Sequence, residues 1–167
     1  MKAYKFLRRE GVGPFSGFSW PLPNGVPGAW VEAEVVVLCR TGVHACRVAD
    51  LPYWVGPALY EAELDGEVAV DELKVVAPRG RLVRRIEAWD DETRDEYSLW
   101  CIERAQELAA ASTVPVEDWA PDAAAAAGGP ALMGFIAARI AEQSGGVEAY
   151  YAERKHQADW LAERLGL

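Results

Sequence analysis

The feature that most constrains this chain is a change of sequence pattern near Trp89. Before it, short apolar or alternating runs are separated by Gly- and Pro-rich breaks, which is typical of strands joined by turns. After it, apolar residues such as Tyr97 and Cys101 recur at helical spacing. This order predicts an α+β protein in which residues 1–89 form a mixed or mainly antiparallel sheet. Residues 90–167 are expected to form a bundle of three to four helices packed on it, within a single domain of 167 residues.

The charge is unevenly divided along the chain. Residues 1–89 carry 11 Lys and Arg against 11 Asp and Glu, whereas residues 90–167 carry 6 against 15 and hold the whole net charge of −9. An acidic surface repels phosphate backbones, so no nucleic acid is expected as a partner. No segment approaches the roughly 18 apolar residues of a membrane span, and the N-terminus lacks the apolar run of a signal peptide. The absence of such segments predicts no membrane partner. Together with the odd number of cysteines, three, it predicts a cytoplasmic location.

The stretch 35–46 carries the densest group of chemically reactive side chains. The β-branched run in 35–39 predicts a buried strand, and Thr41-Gly42 predicts a bend or bulge after it. Period-2 alternation then places His44 and Cys46 on the same face, which makes them candidates for a nucleophile pair. The alternative is that Cys46 is a small buried hydrophobe and that His44 is bonded to a backbone carbonyl in the core or a pocket.

A structural zinc site is a further alternative for the same stretch. Cys39, His44 and Cys46 are ligand types that zinc accepts, and Cys101 is the only other cysteine. Structural sites usually take paired ligands from two short knuckles, a spacing that this stretch does not have. Because Cys101 also falls on a helical apolar stripe, a metal is not favoured, and the sequence identifies no cofactor.

Aromatic residues are interleaved with Gly and Pro between residues 11 and 28. Three rings in a break this long predict an ordered loop that closes one wall of a cleft or caps the core. A short helix over 50–54 adds two more rings, and the arginines within 79–85 either meet an acidic ligand or, as we favour, pair with the acidic helices of the same chain. The candidate ligand-binding residues are Phe15, Phe18, Trp20, Tyr53, Trp54, Arg79 and Arg81.

Residues 1–89 resemble an uncharacterised bacterial family, common in actinobacteria. Its members share a Cys-x2-Gly-aliphatic-His core, a helix with a tyrosine and a Lys-x-x-Ala-x-Arg-x-Arg-Leu ending. The resemblance implies a fold and no activity. The matching residues are Cys39, Gly42, Val43, His44, Tyr53, Lys74, Ala77, Arg79, Arg81 and Leu82.

The run Gly42-Val43-His44, followed by a helix and then a strand, is also similar to the core of ADP-ribosyltransferases. In that family such a strand precedes a helix that helps to hold nicotinamide. The resemblance implies an enzyme acting on NAD, with Glu61, Glu63 or Glu67 as candidates for the catalytic glutamate. The first strand has no His or Arg that clearly matches the residue holding the adenosine ribose.

The sequence therefore leaves two classes of function open. The main hypothesis is a binding or accessory module with an aromatic-lined cleft, whose partner is a small molecule or a protein. The alternative is an enzyme in which His44, with Cys46 or a glutamate, performs chemistry in the same cleft.

Overall fold

The structure is a computed structural model that describes residues 1–113 and 129–167. The chain divides into two compact units, Met1–Asp90 (unit 1) and Asp91–Leu167 (unit 2). The division falls where the sequence pattern changes, near Trp89. The expectation of a single domain stays a prediction.

Unit 1 consists of short strands and a 3-10 helix, Val48–Tyr53. Its strands form two antiparallel sheets, in the orders β1-β4-β7-β2 and β3-β6-β5. The predicted α+β class, with antiparallel strands in the first part of the chain, is confirmed. The strands are β1 Lys2–Leu7, β2 Val31–Glu32, β3 Val43–Ala45, β4 Ala58–Asp65, β5 Ala69–Val70, β6 Val75–Ala77 and β7 Arg79–Arg85.

Two connections join these sheets into a closed ring of strands. Tyr4 of β1 exchanges both backbone hydrogen bonds with Cys46, directly after β3, at 2.8 Å each. On the other side, β6 is separated from β7 only by Pro78. The ring therefore runs from β1 through β4, β7, β6 and β3 and back to β1, and every second side chain of these strands faces a common interior.

This interior is filled by two groups of small and medium apolar side chains. Half-buried Trp20 packs against both of them. The interior is narrow at Gly80 of β7, where a Cβ would stand 2.6 Å from Cγ1 of Val43 and 2.9 Å from Cδ2 of Leu64. The first group is Ala3, Val43, Ala45, Leu64, Val75 and Ala77, and the second is Leu7, Ala58, Tyr60, Ala62 and Leu82.

The predicted buried strand over 35–39 is wrong. Val35, Val37 and Leu38 are 61%, 42% and 43% exposed. The backbone N–H of Thr41 donates to the oxygen of Val37 at 3.0 Å, and Cys39 lies in the left-handed region at φ 64, so the segment is a tight turn. β-Propensity favours a strand only where a neighbouring strand pairs with it. The strand β6 pairs with Val43–Ala45 instead.

Unit 2 is helical in its described residues. Helix α1 spans Asp91–Ala111 and begins with two carboxylates that suit the helix dipole. Helix α2 spans Pro130–Leu165, opens with a proline in its first turn and is interrupted at Gly146, whose φ of 74 is not helical. A bundle of three to four helices is not confirmed, and a helix that the alanine run 123–127 predicts lies outside the described residues. None of the helices described here is long and apolar enough to cross a membrane.

The helices of unit 2 enclose a polar network beside a small apolar core of Ala105, Ala137 and Ile140. Glu153 and Gln157 are buried on α2. Nη2 of Arg104, on α1, donates to Oε2 of Glu153 at 2.8 Å, and Nε2 of Gln157 donates to the backbone oxygen of Gly134 at 2.9 Å. The network pairs the buried Glu153 and Gln157 with groups on another helix or another turn of α2.

Candidate functional site

Lys5 occupies an unusual position in unit 1. Alternation along β1 places it on the side that carries Ala3 and Leu7, and it pairs directly with Tyr60 of β4. Nζ of Lys5 donates to the backbone oxygen of His44 at 2.5 Å. The same ammonium lies 4.8 Å from the ring centroid of Trp20. The residue as a whole is half-buried.

Lys5 differs from the other lysines of the chain in its partners. The other three each lie near a carboxylate: Lys2 is 3.6 Å from Glu61, Lys74 is 3.4 Å from Asp71, and Lys155 is 2.6 Å from Asp159. In the described part of the chain, Lys5 has a carbonyl and an indole ring but no carboxylate. Desolvation therefore dominates and lowers the pKa of Lys5 to about 8.

A small hairpin builds the aromatic wall beside Lys5. The backbone N–H of Trp20 donates to the oxygen of Gly11 at 3.0 Å, and Gly13 N–H donates to the oxygen of Phe18 at 2.8 Å. Phe18, which is 44% exposed, packs edge-on against Trp20 with ring centroids 5.6 Å apart. We call Lys5, Phe18, Trp20 and the carbonyl of His44 the Lys5 site.

The tip of the same hairpin contributes to a second aromatic group. Phe15 packs edge-on against Trp54 at 6.0 Å. Nε1 of Trp54 donates to the backbone oxygen of Leu73 at 2.6 Å, and Nζ of Lys74 lies 5.7 Å from the Trp54 ring centroid. The predicted ring residues are thus divided into two groups: Phe18 with Trp20, and Phe15 with Trp54. Tyr53 is half-buried at the end of the 3-10 helix.

His44 has one bonded and one unbonded ring nitrogen. Its Nδ1 lies 3.0 Å from the backbone oxygen of Gly42, which can only accept, so Nδ1 carries the proton. Its Nε2 is then a lone-pair acceptor, buried and without a hydrogen-bond partner among the residues described. Desolvation lowers the pKa of His44, and the charges of Lys5 and Lys74 lower it further. The imidazole is therefore neutral at pH 7.

Cys46 does not form the predicted nucleophile pair with His44. Sγ of Cys46 donates to the backbone oxygen of Tyr4 at 3.2 Å, whereas the imidazole bonds to Gly42. Burial raises the pKa of the Cys46 thiol to about 12, so it is protonated at neutral pH. This placement agrees with the alternative of a small buried hydrophobe.

The three candidate zinc ligands of unit 1 do not converge. The exposed thiol of Cys39 accepts a hydrogen bond from Nζ of Lys74 at 2.9 Å, while Cys46 is buried against Tyr4. Across residues 1–113 and 129–167, no three His, Cys, Asp or Glu side chains are grouped so as to hold a metal ion. The zinc alternative therefore has no ligand set in this part of the chain.

The arginines of β7 pair with carboxylates on neighbouring strands of unit 1. Their favoured pairing with the acidic helices stays a prediction. Glu63 and Arg81 are opposite each other in the β4–β7 ladder and meet at 2.7 Å. Glu61 lies 2.9 Å from Arg84 in the same way. Cross-strand neighbours of opposite charge attract, and the register of the ladder brings them together.

Arg79 completes this charged face of the sheet. It lies 3.1 Å from Glu32 of β2, and the guanidinium groups of Arg79 and Arg81 lie 4.3 and 4.5 Å from the ring centroid of Trp30. Neither arginine is placed in the Lys5 site. With Glu61 and Glu63 held in ion pairs and Glu67 exposed, the transferase hypothesis stays a prediction.

Comparisons with protein-family models, with curated proteins and with solved structures found no match for the chain. The two resemblances noted in the sequence therefore stay predictions. The sequence reasoning missed Lys5, although a signal exists, since a lysine stands at an inward position of an alternating strand between Ala3 and Leu7.

Proposed function

We propose that unit 1 binds a small organic anion with an apolar or aromatic body at the Lys5 site. The observation that carries the proposal is the Lys5 ammonium, which has no carboxylate partner in the described residues although the other lysines each have one. A charge taken out of water is expensive unless it is paired. An anionic group of a ligand beside Nζ would supply the counter-ion that Lys5 lacks.

The surroundings of Lys5 suit the rest of such a ligand. The Lys5 ammonium lies over the Trp20 ring, and the partly exposed Phe18 packs edge-on against Trp20. Binding sites commonly combine such apolar walls with a few placed polar groups. A carboxylate within hydrogen-bond distance of Nζ would gain a charge-assisted bond, while the ligand body lies against the two rings.

The candidate catalytic groups of unit 1 support binding more than catalysis. Cys46 is a protonated thiol, and Glu61 and Glu63 are held by arginines. Neutral His44 offers an acceptor nitrogen but has no nucleophile bonded to it. We therefore propose an accessory binding module in preference to an enzyme.

Benzoate titration tests the proposal. We expect benzoate to raise the melting temperature of the full chain in a concentration-dependent way, because a ligand that binds only the folded state stabilises it. Benzyl alcohol, which has the ring without the charge, should give a much smaller shift. Lys5→Met and Trp20→Ala should each lose the response to benzoate, measured against the melting temperature of that variant alone.

Lys2→Met is the matched control, since Lys2 is an exposed lysine on the same strand. It should respond to benzoate as the wild type does. If Lys5→Met responds as strongly as Lys2→Met, or if no small carboxylate shifts the wild type, the proposed function is wrong.

A further inference from the structure

We propose that the ligand of the Lys5 site carries a carbonyl carbon besides its acidic group, and that Lys5 holds this carbon as a reversible imine. The inference rests on the proposed function and narrows the ligand to small oxo acids and aldehyde acids. It makes Lys5 a covalent attachment site for the ligand.

Lys5 gives up its proton more easily than the other lysines of the chain. A lysine beside a carboxylate keeps its proton, because deprotonation would leave that carboxylate unpaired. Lys5 instead faces the oxygen of His44 and the ring of Trp20, and neither is left with an uncompensated charge when the amine is neutral. With a pKa of about 8, about one Lys5 amine in ten is neutral at pH 7, against fewer than about one in a thousand for an ordinary lysine.

A neutral amine in an apolar site is a nucleophile. The lone pair of Lys5 Nζ attacks the carbonyl carbon, a C–N bond forms, and the C=O π electrons move to the oxygen. One proton passes from Nζ to this oxygen to give a carbinolamine. The C–O bond then breaks and the hydroxyl leaves with the second Nζ proton as water, while the nitrogen lone pair forms C=N. Overall, one amine and one carbonyl give one imine and one water, so no oxidant or reductant is needed.

An acid fits the Lys5 site better than a neutral carbonyl compound does. The imine takes one proton from solvent and becomes an iminium, which keeps the positive charge and one N–H of the former ammonium. That N–H can still donate to the oxygen of His44, which accepts from Nζ in the free protein. The carboxylate of the ligand then pairs with the iminium charge, so the charge balance of the proposed anion complex is retained.

Reductive trapping on the full chain tests the inference. The probe is phenylglyoxylate, an aromatic oxo acid whose carboxylate is bonded to the carbonyl carbon, with cyanoborohydride at pH 7, which reduces an iminium to a stable secondary amine, followed by peptide mapping. We expect Lys5 to be modified at least about ten-fold faster than Lys2, Lys74 and Lys155, because of its larger neutral fraction. The α-amino group of Met1 also reacts, and mapping distinguishes it from Lys2 and Lys5.

The controls use the same chain. Lys5→Met should lose the fast lysine modification, whereas Lys155→Met should keep it. Benzaldehyde, which lacks the carboxylate, should show a smaller preference for Lys5 over Lys155. In the wild type, added benzoate should protect Lys5 and leave Lys155 unaffected, which gives a test that needs no variant.

Two results overturn the inference, and they are distinguishable from failure of the proposed function. Equal modification of all lysines, or faster modification of Lys155, shows that Lys5 is not a covalent site. If benzoate binds at Lys5 under the same conditions, the proposed function stands without the covalent step. If benzoate neither binds nor protects, both fail.

Discussion

At the scale of single residues, unit 1 places a cation where its neighbours are apolar. Lys5 shares its face of β1 with Ala3 and Leu7, and its ammonium is satisfied by a carbonyl and an indole face. Neither partner neutralises its charge. A residue that lowers stability in this way is more easily explained by a ligand than by packing.

Replacing this lysine should stabilise the protein at neutral pH. The pKa of Lys5 is lowered to about 8 in the folded state, below the value of about 10.4 for an unfolded lysine. The unfolded state therefore binds more protons between these values, and the stability of the wild type rises with pH in that window. We expect Lys5→Met to raise the free energy of unfolding by about 2 kcal/mol at pH 7, with a smaller gain at pH 10.

Urea unfolding at the two pH values, followed by tryptophan fluorescence, measures this difference. Lys2→Met serves as the control and should change stability little at either pH, because Lys2 is exposed. An equal gain at both pH values for Lys5→Met would show that the amine is not desolvated.

At the scale of elements, an ion pair with one buried member joins helices α1 and α2 of unit 2. The side chain of Glu153 on α2 is 3% exposed and accepts from Arg104 of α1, whose other Nη group donates to Glu107 of the same helix at 2.6 Å. Removing Glu153 takes away the buried partner of Arg104, which then keeps only its ion pair with the exposed Glu107.

We expect Glu153→Ala to lower the free energy of unfolding by about 3 kcal/mol. Glu153→Gln should cost less, because the amide oxygen can still accept from Arg104. Glu148→Ala, on an exposed turn of the same helix, is the control and should change stability by less than about 0.5 kcal/mol. Denaturant unfolding measures all three, and a Glu153→Ala variant as stable as the control contradicts the account of the network.

Local sequence signals predict several features of the helices. Pro130 begins α2 and Gly146 interrupts its helical geometry, as their backbone preferences predict. Residues 35–39 do not form the predicted strand. β-Branched residues favour a strand only where a partner strand is present, and β6 pairs with β3 instead. The pairing of Glu63 with Arg81 was also missed, since it depends on a register that the sequence does not reveal.

At the scale of the whole molecule, the sequence predicted the order of strands and helices but not the closure of the sheets. Closure depends on the pairing of Tyr4 with Cys46, which are far apart in the chain. The site shows the same division. The sequence predicted its aromatic residues, because they lie between glycines and prolines. It did not predict Lys5, because the position of Lys5 depends on a ring of strands with an apolar interior.

The titration of Lys5 tests the central claim most directly. The chain has four lysines, so NMR of the protein with ¹³C-labelled lysine gives few ε-carbon signals, and Lys5→Met assigns the one of interest. We expect that signal to titrate with a pKa of about 8 in the ligand-free protein. If it titrates near the ordinary value of about 10.4, Lys5 is solvated or paired, and both the anion site and the covalent attachment lose their physical basis.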